Sequence, residues 1–371
     1  MDALGAVGRR RFLQVTATGV AAMTLAPRPG AAAGGTVRWV SPRGTIEVLD
    51  DYPYWVAKRF GYFGDIDTTL EPGPMEATAT IKLVDQGQSD MGYPSPGVFS
   101  LGLEQGIPLV SVWHMGAYDV FSFAFPKGKK PASPAALKGK QILLGSIGWK
   151  SICDPELAQL NVDPASVNYA EAGALWGQAL SQGRGDAALS WEGLRAQWTG
   201  QGLEFDYLLP YEFSKLPANS FVIRKSDFED QGKKALYEQY LRGWAMGLEF
   251  GYQNPRAATQ IVLEQFPALA STLKPDVATE SQMQLAKVYR GPWDKRQGWG
   301  WHDTAQWRFF FDLIHKIGQI SKPVQAADVC KNDYVQAANG FDKAKVQADA
   351  QSFQLKPEMQ AVDVKAIEAR L

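Results

Sequence analysis

Tryptophans stand beside polar residues at three places where strand-like segments end. Trp113 precedes His114, Trp191 precedes Glu192, and Trp149 follows a short β-prone run. An indole offers a flat apolar face that also attracts cations, and a carboxylate or imidazole beside it can hydrogen-bond an amine or amidine. The pattern predicts capture of a compact aromatic or nitrogen-bearing molecule. The alternative for each indole is packing in the core, and for Glu192 the start of a helix in solvent.

Hydroxyl groups precede two predicted helices. Ser95 lies before Pro96, and Ser146 follows a strand-like run. A hydroxyl with the free amides of a helix N-terminus suits an anion or a carbonyl, although plain N-capping explains the same residues. Tyr54 is placed to close the mouth of a cleft or to pack. The predicted ligand-binding residues are Tyr54, Ser95, Trp113, His114, Ser146, Trp149, Trp191 and Glu192.

Residue types that usually carry catalysis are scarce. The chain has three His and two Cys, and no G-x-S-x-G, Walker, H-E-x-x-H or C-x-x-C motif. We therefore predict no catalytic residues, no metal and no cofactor, and a protein that is not an enzyme. Cys153 and Cys330 are expected as free thiols.

The charge is nearly balanced, with 38 Lys and Arg against 39 Asp and Glu. Such a balance argues against a nucleic-acid partner or a polybasic membrane surface. Residues 1–33 hold four of the arginines and only one acid, so the remainder is more acidic than the whole.

The N-terminus has the order of an export signal. Arg9-Arg10-Arg11 precedes an apolar stretch from Val15 to Ala26, and Ala31-Ala32-Ala33 offers a cleavage site. The arginine run resembles a twin-arginine signal. An ordinary secretory signal is the alternative. We predict cleavage near Ala33 and a monomeric periplasmic protein.

Strand-like and helix-like segments alternate after the signal, with short Gly- and Pro-containing connections that are typical of parallel sheets. The polar stretch 126–131 indicates a crossing into a second α/β unit, and 220–224 a return to the first. Ligands of such folds bind at the carboxyl ends of strands and between domains. The predicted segments are 1–33 as signal, 34–125 as the first part of lobe 1, 126–218 as lobe 2, 219–330 as the return to lobe 1, and 331–371 as a helical tail.

Four motifs follow one another along the chain, at 54–63, 83–92, 137–142 and 180–187. In this order they resemble the periplasmic solute-binding proteins of ABC importers, in the branch for taurine, alkanesulfonates, nitrate and thiamine precursors (NMT1/THI5-like). The resemblance covers about 36–320 and implies an α/β type II periplasmic binding protein fold, with two hinged lobes and a central cleft. It also implies a small-molecule solute and a partner ABC permease with its ATPase subunits.

Three other functions stay open at this stage. A sulfonate- or nitrate-like anion is the first alternative ligand, and Lys150 would then neutralise it. A pyrimidine-synthesis enzyme of the same branch is the second alternative, against which the lack of a Cys-rich run argues. A ligand sensor that docks on another receptor would use the same cleft.

Overall fold

The computed structural model describes residues 34–74, 76 and 78–371. The predicted export signal, residues 1–33, lies outside the described residues. The ten strands of the described part are Thr36–Val40 (β1), Asp67–Glu71 (β2), Met91–Gly92 (β3), Leu109–His114 (β4), Phe121–Pro126 (β5), Gln141–Leu144 (β6), Asn168–Glu171 (β7), Ala187–Trp191 (β8), Phe205–Leu208 (β9) and Ser220–Arg224 (β10).

The strands form two five-stranded sheets, and each sheet is the centre of one lobe. The first has the order β2-β1-β3-β10-β4, and the second has the order β7-β6-β8-β5-β9. Strand β1 pairs in parallel with β2 and β3, while β10 runs antiparallel between β3 and β4. In the second sheet β6 is parallel to β7 and β8, and β5 is antiparallel to β8 and β9. The predicted two α/β units are therefore present, and each is a mixed sheet.

Helices cover the sheets and form most of the C-terminal third. They are Tyr52–Phe60 (α1), Ala79–Asp85 (α2), Pro96–Glu104 (α3), Lys150–Gln159 (α4), Trp176–Ser181 (α5), Leu194–Gly200 (α6), Lys225–Glu229 (α7), Gln231–Gln253 (α8), Pro255–Gln265 (α9), Pro267–Thr272 (α10), Pro275–Arg290 (α11), Thr304–Lys316 (α12), Ala326–Val329 (α13), Val335–Ala338 (α14), Lys343–Ser352 (α15), Pro357–Gln360 (α16) and Val364–Glu368 (α17). No helix within 34–74, 76 and 78–371 has both the length and the apolar character needed to cross a bilayer.

The chain passes between the lobes twice. The first crossing links β4 to β5 through residues 115–120, and the second links β9 to β10 through residues 209–219. Gln306 on α12 holds both crossings, because its Nε2 donates to the carbonyl of Leu216 at 2.9 Å and to that of Ala117 at 3.4 Å. The two crossings therefore lie side by side against the first lobe.

Aromatic packing fills the first lobe. Trp244 of α8 lies with its ring centroid 5.5 Å from Trp39 of β1 and 4.8 Å from Phe221 of β10. Such offset and edge-on pairs add to the free energy gained by burying the rings. The C-terminal segment continues this lobe, because α14 and α15 pack on α8. Cys153 and Cys330 are free thiols, as expected.

Candidate functional site

A cavity of about 80 Å³ lies between the loops of the two sheets. A single water molecule needs roughly 10–15 Å³ by this measure, so the cavity is well above the size of one water. We call it the interlobe cavity. Its walls are formed by Pro42, Arg43, Asp50, Thr80, Tyr93, Pro94, Ser95, Val98, Val120, Phe121, Trp149, Ile152, Trp191, Asn219, Leu285 and Tyr289.

The first-lobe wall contains an arginine shared by two carboxyl groups. All three residues lie between β1 and α1. Nη2 of Arg43 lies 2.6 Å from both carboxylate oxygens of Asp51, and its Nη1 lies 3.4 Å from Oδ1 of Asp50. The three side chains are largely buried, with exposed fractions of 15% for Arg43, 7% for Asp50 and 1% for Asp51. One positive charge thus faces two acids in a region with little water.

Burial raises the pKa of Asp50 and of Asp51, while Arg43 opposes the rise in both. A hydrogen bond from the Trp191 side chain also favours the charged form of Asp50. For Arg43 itself, burial lowers the pKa, but Asp51 and Asp50 outweigh burial and raise it overall. Arg43 therefore stays protonated, and the cavity accommodates one more positive charge or hydrogen-bond donor better than a further negative charge.

Other polar groups complete the first-lobe wall. The Tyr289 hydroxyl donates to the Asp50 carbonyl at 3.0 Å, which fixes the loop before α1. Asn219 donates from Nδ2 to the Tyr93 carbonyl at 3.3 Å. Its Oδ1 is buried and has no partner within the described chain. A buried amide oxygen without a donor is costly, so Asn219 offers an acceptor to a bound solute.

The second-lobe wall is aromatic. Trp149 and Trp191 line the cavity, with ring centroids 6.1 Å apart and nearly perpendicular planes. Behind them Trp176 stacks on Trp191 at 5.6 Å, and its indole N–H donates to the Leu189 carbonyl at 2.8 Å. Because Trp176 is anchored in this way, it holds the two cavity-facing indoles in fixed orientations.

Three of the eight predicted ligand residues line the interlobe cavity: Ser95, Trp149 and Trp191. Ser95 is also the N-cap of α3, since its Oγ accepts the amide of Val98 at 3.3 Å. The hydroxyl thus caps α3, as the alternative interpretation proposed. It also faces the cavity.

Three others lie inside the first lobe. Tyr54 is buried, and its hydroxyl lies 3.0 Å from the Thr68 carbonyl. Trp113, on the edge strand β4, is fully buried. His114 is 1% exposed, and its ring lies 5.5 Å from that of His302 in a stacked arrangement. None of the three is part of the interlobe wall. For Trp113 and His114 the reason is that the segment near residue 300 covers the end of β4.

The remaining two lie in the second lobe, outside the cavity wall. Ser146 precedes a short 3₁₀ helix at Ile147–Trp149 and makes no side-chain cap. Glu192 is 1% exposed and is bound by Arg195, with Oε2 2.9 Å from Nη2. Lys150, the residue suggested for an anion, pairs with Asp154 at 2.8 Å and is not among the residues that line the wall.

Sequence reasoning missed the residues that give the wall its charge and polarity. These are Arg43, Asp50, Tyr93, Asn219 and Tyr289. The loop 41–54 follows the first strand, and this position was the available signal for Arg43 and Asp50. Tyr289 carried no such signal, since it lies at the end of a helix more than 200 residues later.

The lobes are in contact on both sides of the cavity. On one side Oε1 of Gln284 accepts the Gly193 amide at 2.9 Å, and Oγ of Ser281 donates to the Gly193 carbonyl at 2.8 Å. On the other side Gly97 of α3 lies so close to Ser151 of α4 that a Cβ would clash with its carbonyl oxygen. Contacts between the lobes therefore bound the cavity on two sides.

Within the described residues, no group of three or more His, Cys, Asp or Glu side chains is arranged to hold a metal ion. The lining residues of the interlobe cavity include no Cys, His or Lys. The wall thus offers stacking surfaces, one guanidinium, one carboxyl and several hydroxyls, a set suited to holding a solute.

A family model described as NMT1/THI5 like matches residues 50–258. A sequence search of curated proteins found no match. Among solved structures, the alkanesulfonate-binding protein SsuA from Xanthomonas axonopodis pv. citri, bound to MOPS, is 14% identical. The alignment covers 81% of this chain and 99% of that one, with a TM-score of 0.61.

Two further structures give the same picture. The ligand binding component of an ABC-type import system from Staphylococcus aureus is 13% identical over 82% of this chain and 99% of that one, with a TM-score of 0.60. The periplasmic aliphatic sulphonate binding protein SsuA from Escherichia coli is 13% identical over 79% and 91%, with a TM-score of 0.57. The chain therefore has the periplasmic binding protein fold, as predicted.

Proposed function

The chain belongs to the NMT1/THI5-like family, and we propose that it is the exported solute-binding component of an ABC importer. It captures a small, flat, nitrogen-bearing organic molecule in the interlobe cavity. It then delivers this solute to a membrane permease that works with ATPase subunits. The proposed location is the periplasm, after removal of residues 1–33, and the proposed state is a monomer.

The observation that carries the proposal is the contrast between the two cavity walls. The first lobe presents Arg43 with two carboxyl groups, while the second presents Trp149 and Trp191. A flat solute stacks on the indoles, and its amine, amidine or ring nitrogen donates to Asp50. Both lobes then hold one molecule, so binding favours the closed state over the open one.

The charges of the first-lobe wall disfavour the anionic alternative. Nη2 of Arg43 already donates to both carboxylate oxygens of Asp51. A sulfonate near Arg43 would also face the carboxyl of Asp50, which lies on the same wall. Like charges at close range in a region of low dielectric repel strongly. The structural relatives named for sulfonate binding thus share the fold, and we propose a different ligand charge for this chain.

The enzymatic alternative has little support in the cavity wall. A pyrimidine-synthesis reaction of the kind suggested by the family would need a nucleophile or a general acid-base pair near the solute. The lining residues provide no Cys, His or Lys. The Ser95 hydroxyl accepts the Val98 amide, and the Asp50 carboxyl lies 3.4 Å from Arg43, so neither is paired with a general base. We therefore propose capture and release, with the solute chemically unchanged.

Native mass spectrometry of the exported protein tests the proposal most directly, because a co-purified solute appears as a mass difference. Binding is then measured by tryptophan fluorescence and calorimetry with two probes of similar shape, benzamidine as the cation and benzenesulfonate as the anion. We expect benzamidine to bind more tightly. Tighter binding of benzenesulfonate would overturn the proposed ligand class, and turnover of the co-purified solute would overturn the proposed function.

The Trp191→Ala variant tests the placement of the solute. Loss of one stacking face should weaken benzamidine binding roughly tenfold, since an aromatic contact and its buried area contribute about 1–2 kcal/mol. Trp55→Phe is the matched control, because Trp55 packs against Phe266, away from the cavity. Equal affinities of the two variants would show that the solute binds elsewhere.

A further inference from the structure

A second cavity, of about 430 Å³, lies beside the two crossings of the chain. We call it the crossing cavity. One wall consists of crossing residues, and the other comes from the segment 292–309 of the first lobe. It is lined by His114, Ala117, Tyr118, Ser214, Lys215, Pro292, Lys295, Arg296, Trp301, Asp303, Ala305, Gln306 and Phe309. It shares no lining residue with the interlobe cavity.

Arg296 in this wall is a largely buried cation whose charge no neighbouring acid balances. Its Nη1 donates to the carbonyls of Tyr289 at 2.7 Å and Arg290 at 3.1 Å, which end α11. Its Nη2 lies 3.4 Å from two further carbonyls. Burial lowers the pKa of Arg296 to about 10, and no neighbouring carboxylate raises it.

Two other arginines of the described chain that are buried to a similar degree have acid partners. Arg43 is held by Asp51 and Asp50, and Arg195 is held by Glu192 at 2.9 Å. A buried cation without a counter-ion costs free energy that carbonyl dipoles offset only in part. Arg296 has no such partner among the described residues and lies beside an open cavity, where a ligand can supply the missing charge.

Two lysines add positive charge from different walls. Lys215 lies on the second crossing and Lys295 lies next to Arg296, and both are exposed. Within residues 34–74, 76 and 78–371, neither lysine has a carboxylate oxygen within 4.0 Å. The one acid in the wall, Asp303, is occupied as the N-cap of α12, with Oδ1 accepting the amide of Ala305 at 2.9 Å.

His114 supplies a further unsatisfied group. Its ring is 1% exposed, and Nε2 is buried without a hydrogen-bond partner in the described chain. Burial, followed by the nearby His302 and Arg296, lowers the pKa of His114 well below its ordinary value, so the ring is neutral. A neutral imidazole can donate one N–H to an oxyanion without repelling it.

We propose that the crossing cavity is a second ligand site, which binds a small molecule carrying two or more negatively charged oxyanion groups. Arg296 offers the central charge, and Lys215 and Lys295 hold further oxyanions from the two walls. Trp301 and Phe309 cover the carbon skeleton, and Phe309 is 38% exposed without a ligand. Because Lys215 belongs to a crossing, the bound anion would bridge that crossing and the first lobe.

Isothermal titration of citrate into the full-length protein tests the site, with sodium chloride adjusted to keep the ionic strength constant. We expect saturable binding that Arg296→Gln weakens at least about tenfold, since hydrogen bonds to charged groups are strong. Lys215→Ala and Lys295→Ala should each weaken it by roughly threefold. Arg256→Gln is the control, because Arg256 is a surface arginine that also donates to a carbonyl, that of Gln360 at 3.1 Å.

Arg296 also binds the carbonyls of the last two residues of α11, so its loss can destabilise the first lobe. The double variant Lys215→Ala/Lys295→Ala avoids this, since both lysines are exposed. Absence of a saturable signal in the wild type, or unchanged affinity in the double variant, would overturn the proposal. Trp191→Ala should leave citrate binding unchanged, which separates this site from the solute proposed for the interlobe cavity.

Discussion

Two regions of the molecule each bury a pair of acids, and only one pair has a cation. Asp50 and Asp51 lie at the interlobe cavity with Arg43 between them. Asp119, on the first crossing, meets Glu156 of α4. Both members of the second pair are almost fully buried, with exposed fractions of 3% and 2%.

The partners of the second pair are neutral. The Ser214 hydroxyl and the Phe121 amide donate to Asp119, and Nε2 of Gln159 donates to Glu156 at 2.8 Å. Burial raises the pKa of Asp119, and burial together with Asp119 raises that of Glu156 well above its ordinary value. Two carboxyls in contact without a cation retain a shared proton.

The comparison shows what the arginine contributes. At the interlobe cavity Arg43 opposes the rise in the pKa of both carboxyls, and Asp50 faces the cavity, while at the crossing the shared proton joins two structural elements. The first pair is suited to recognition, and the second holds α4 against the crossing. Variants that remove the cation, the ligand-facing acid or the shared proton should separate these roles.

Removing the cation should have the largest effect. Arg43→Gln leaves Asp50 and Asp51 buried together without a positive charge, and breaking such a buried pair costs about 3–5 kcal/mol. Urea denaturation measures this as a loss in the free energy of unfolding. Arg370→Gln is the matched control, since Arg370 pairs with Glu280 at 2.6 Å on the surface and should lose less than about 1 kcal/mol. Equal losses would mean that the Arg43 cluster behaves like a surface pair.

Removing the ligand-facing acid should come next. Asp50→Asn keeps the shape of the wall but removes the charge that attracts a cationic solute. We expect the affinity for benzamidine to fall roughly tenfold to a hundredfold, since hydrogen bonds to charged groups contribute about 1.5–3 kcal/mol. The affinity for benzenesulfonate should rise. Calorimetry with both probes measures the change, and Asp85→Asn, at an exposed position on α2, is the control.

Arg43 and Asp50 also show which features of the site the sequence did not predict. The alternation of strands and helices was predictable because apolar strand-like runs are separated by Gly and Pro. The backbone conformations of these two residues favour turns. Arg43 and Asp50 lie in a loop without periodicity, and their burial depends on α11 and the second lobe, which no local pattern encodes. Strand β9 was also missed, because Phe205–Leu208 is a short edge strand.

The indoles were partly predictable for the same reason. Trp191 ends β8 and reaches the cavity, as its position at a carboxyl end predicts. Trp113 has the same position on β4, but the chain returns near residue 300 and covers it, with His114 bridged to Gly300. A strand end indicates the side of the sheet where a ligand binds, while later segments decide which side chains remain open to it.

Removing the shared proton should change how stability depends on pH. The folded pKa of Glu156 lies above that of an unfolded glutamate, near 4.3, so the native state binds more protons. The contribution of Glu156 to stability is therefore greatest below about pH 4 and is lost as pH rises through the raised pKa. Glu156→Gln removes most of this fall, and the variant should gain on the order of 1 kcal/mol relative to wild type between pH 5 and pH 8.

Urea denaturation at a series of pH values measures the gain. Glu368→Gln, at an exposed position in the last helix, should follow the wild-type curve. If the difference between Glu156→Gln and wild type were the same at every pH, the pair would hold no shared proton. The contrast with the Arg43 cluster would then be one of packing alone.

The smallest effect is expected at Glu192, the acid that follows Trp191. Its carboxylate is bound by Arg195 through two contacts, Oε1 to Nε at 3.1 Å and Oε2 to Nη2 at 2.9 Å, and it is outside the cavity wall. Glu192→Gln should therefore change the affinity for benzamidine less than about twofold, because the interaction of an internally paired charge with a distant group is weak. The measurement is the same calorimetric titration used for Asp50→Asn.

This prediction decides which lobe supplies the charge. If Glu192→Gln weakened benzamidine binding as much as Asp50→Asn, a second-lobe carboxylate would reach the solute, and Arg195 would have to release it on binding. Arg195→Gln distinguishes that case, since freeing Glu192 should then strengthen binding. If neither second-lobe variant has an effect while Asp50→Asn does, the first lobe selects the charge of the solute. The second lobe then contributes the stacking surface that makes closure favourable.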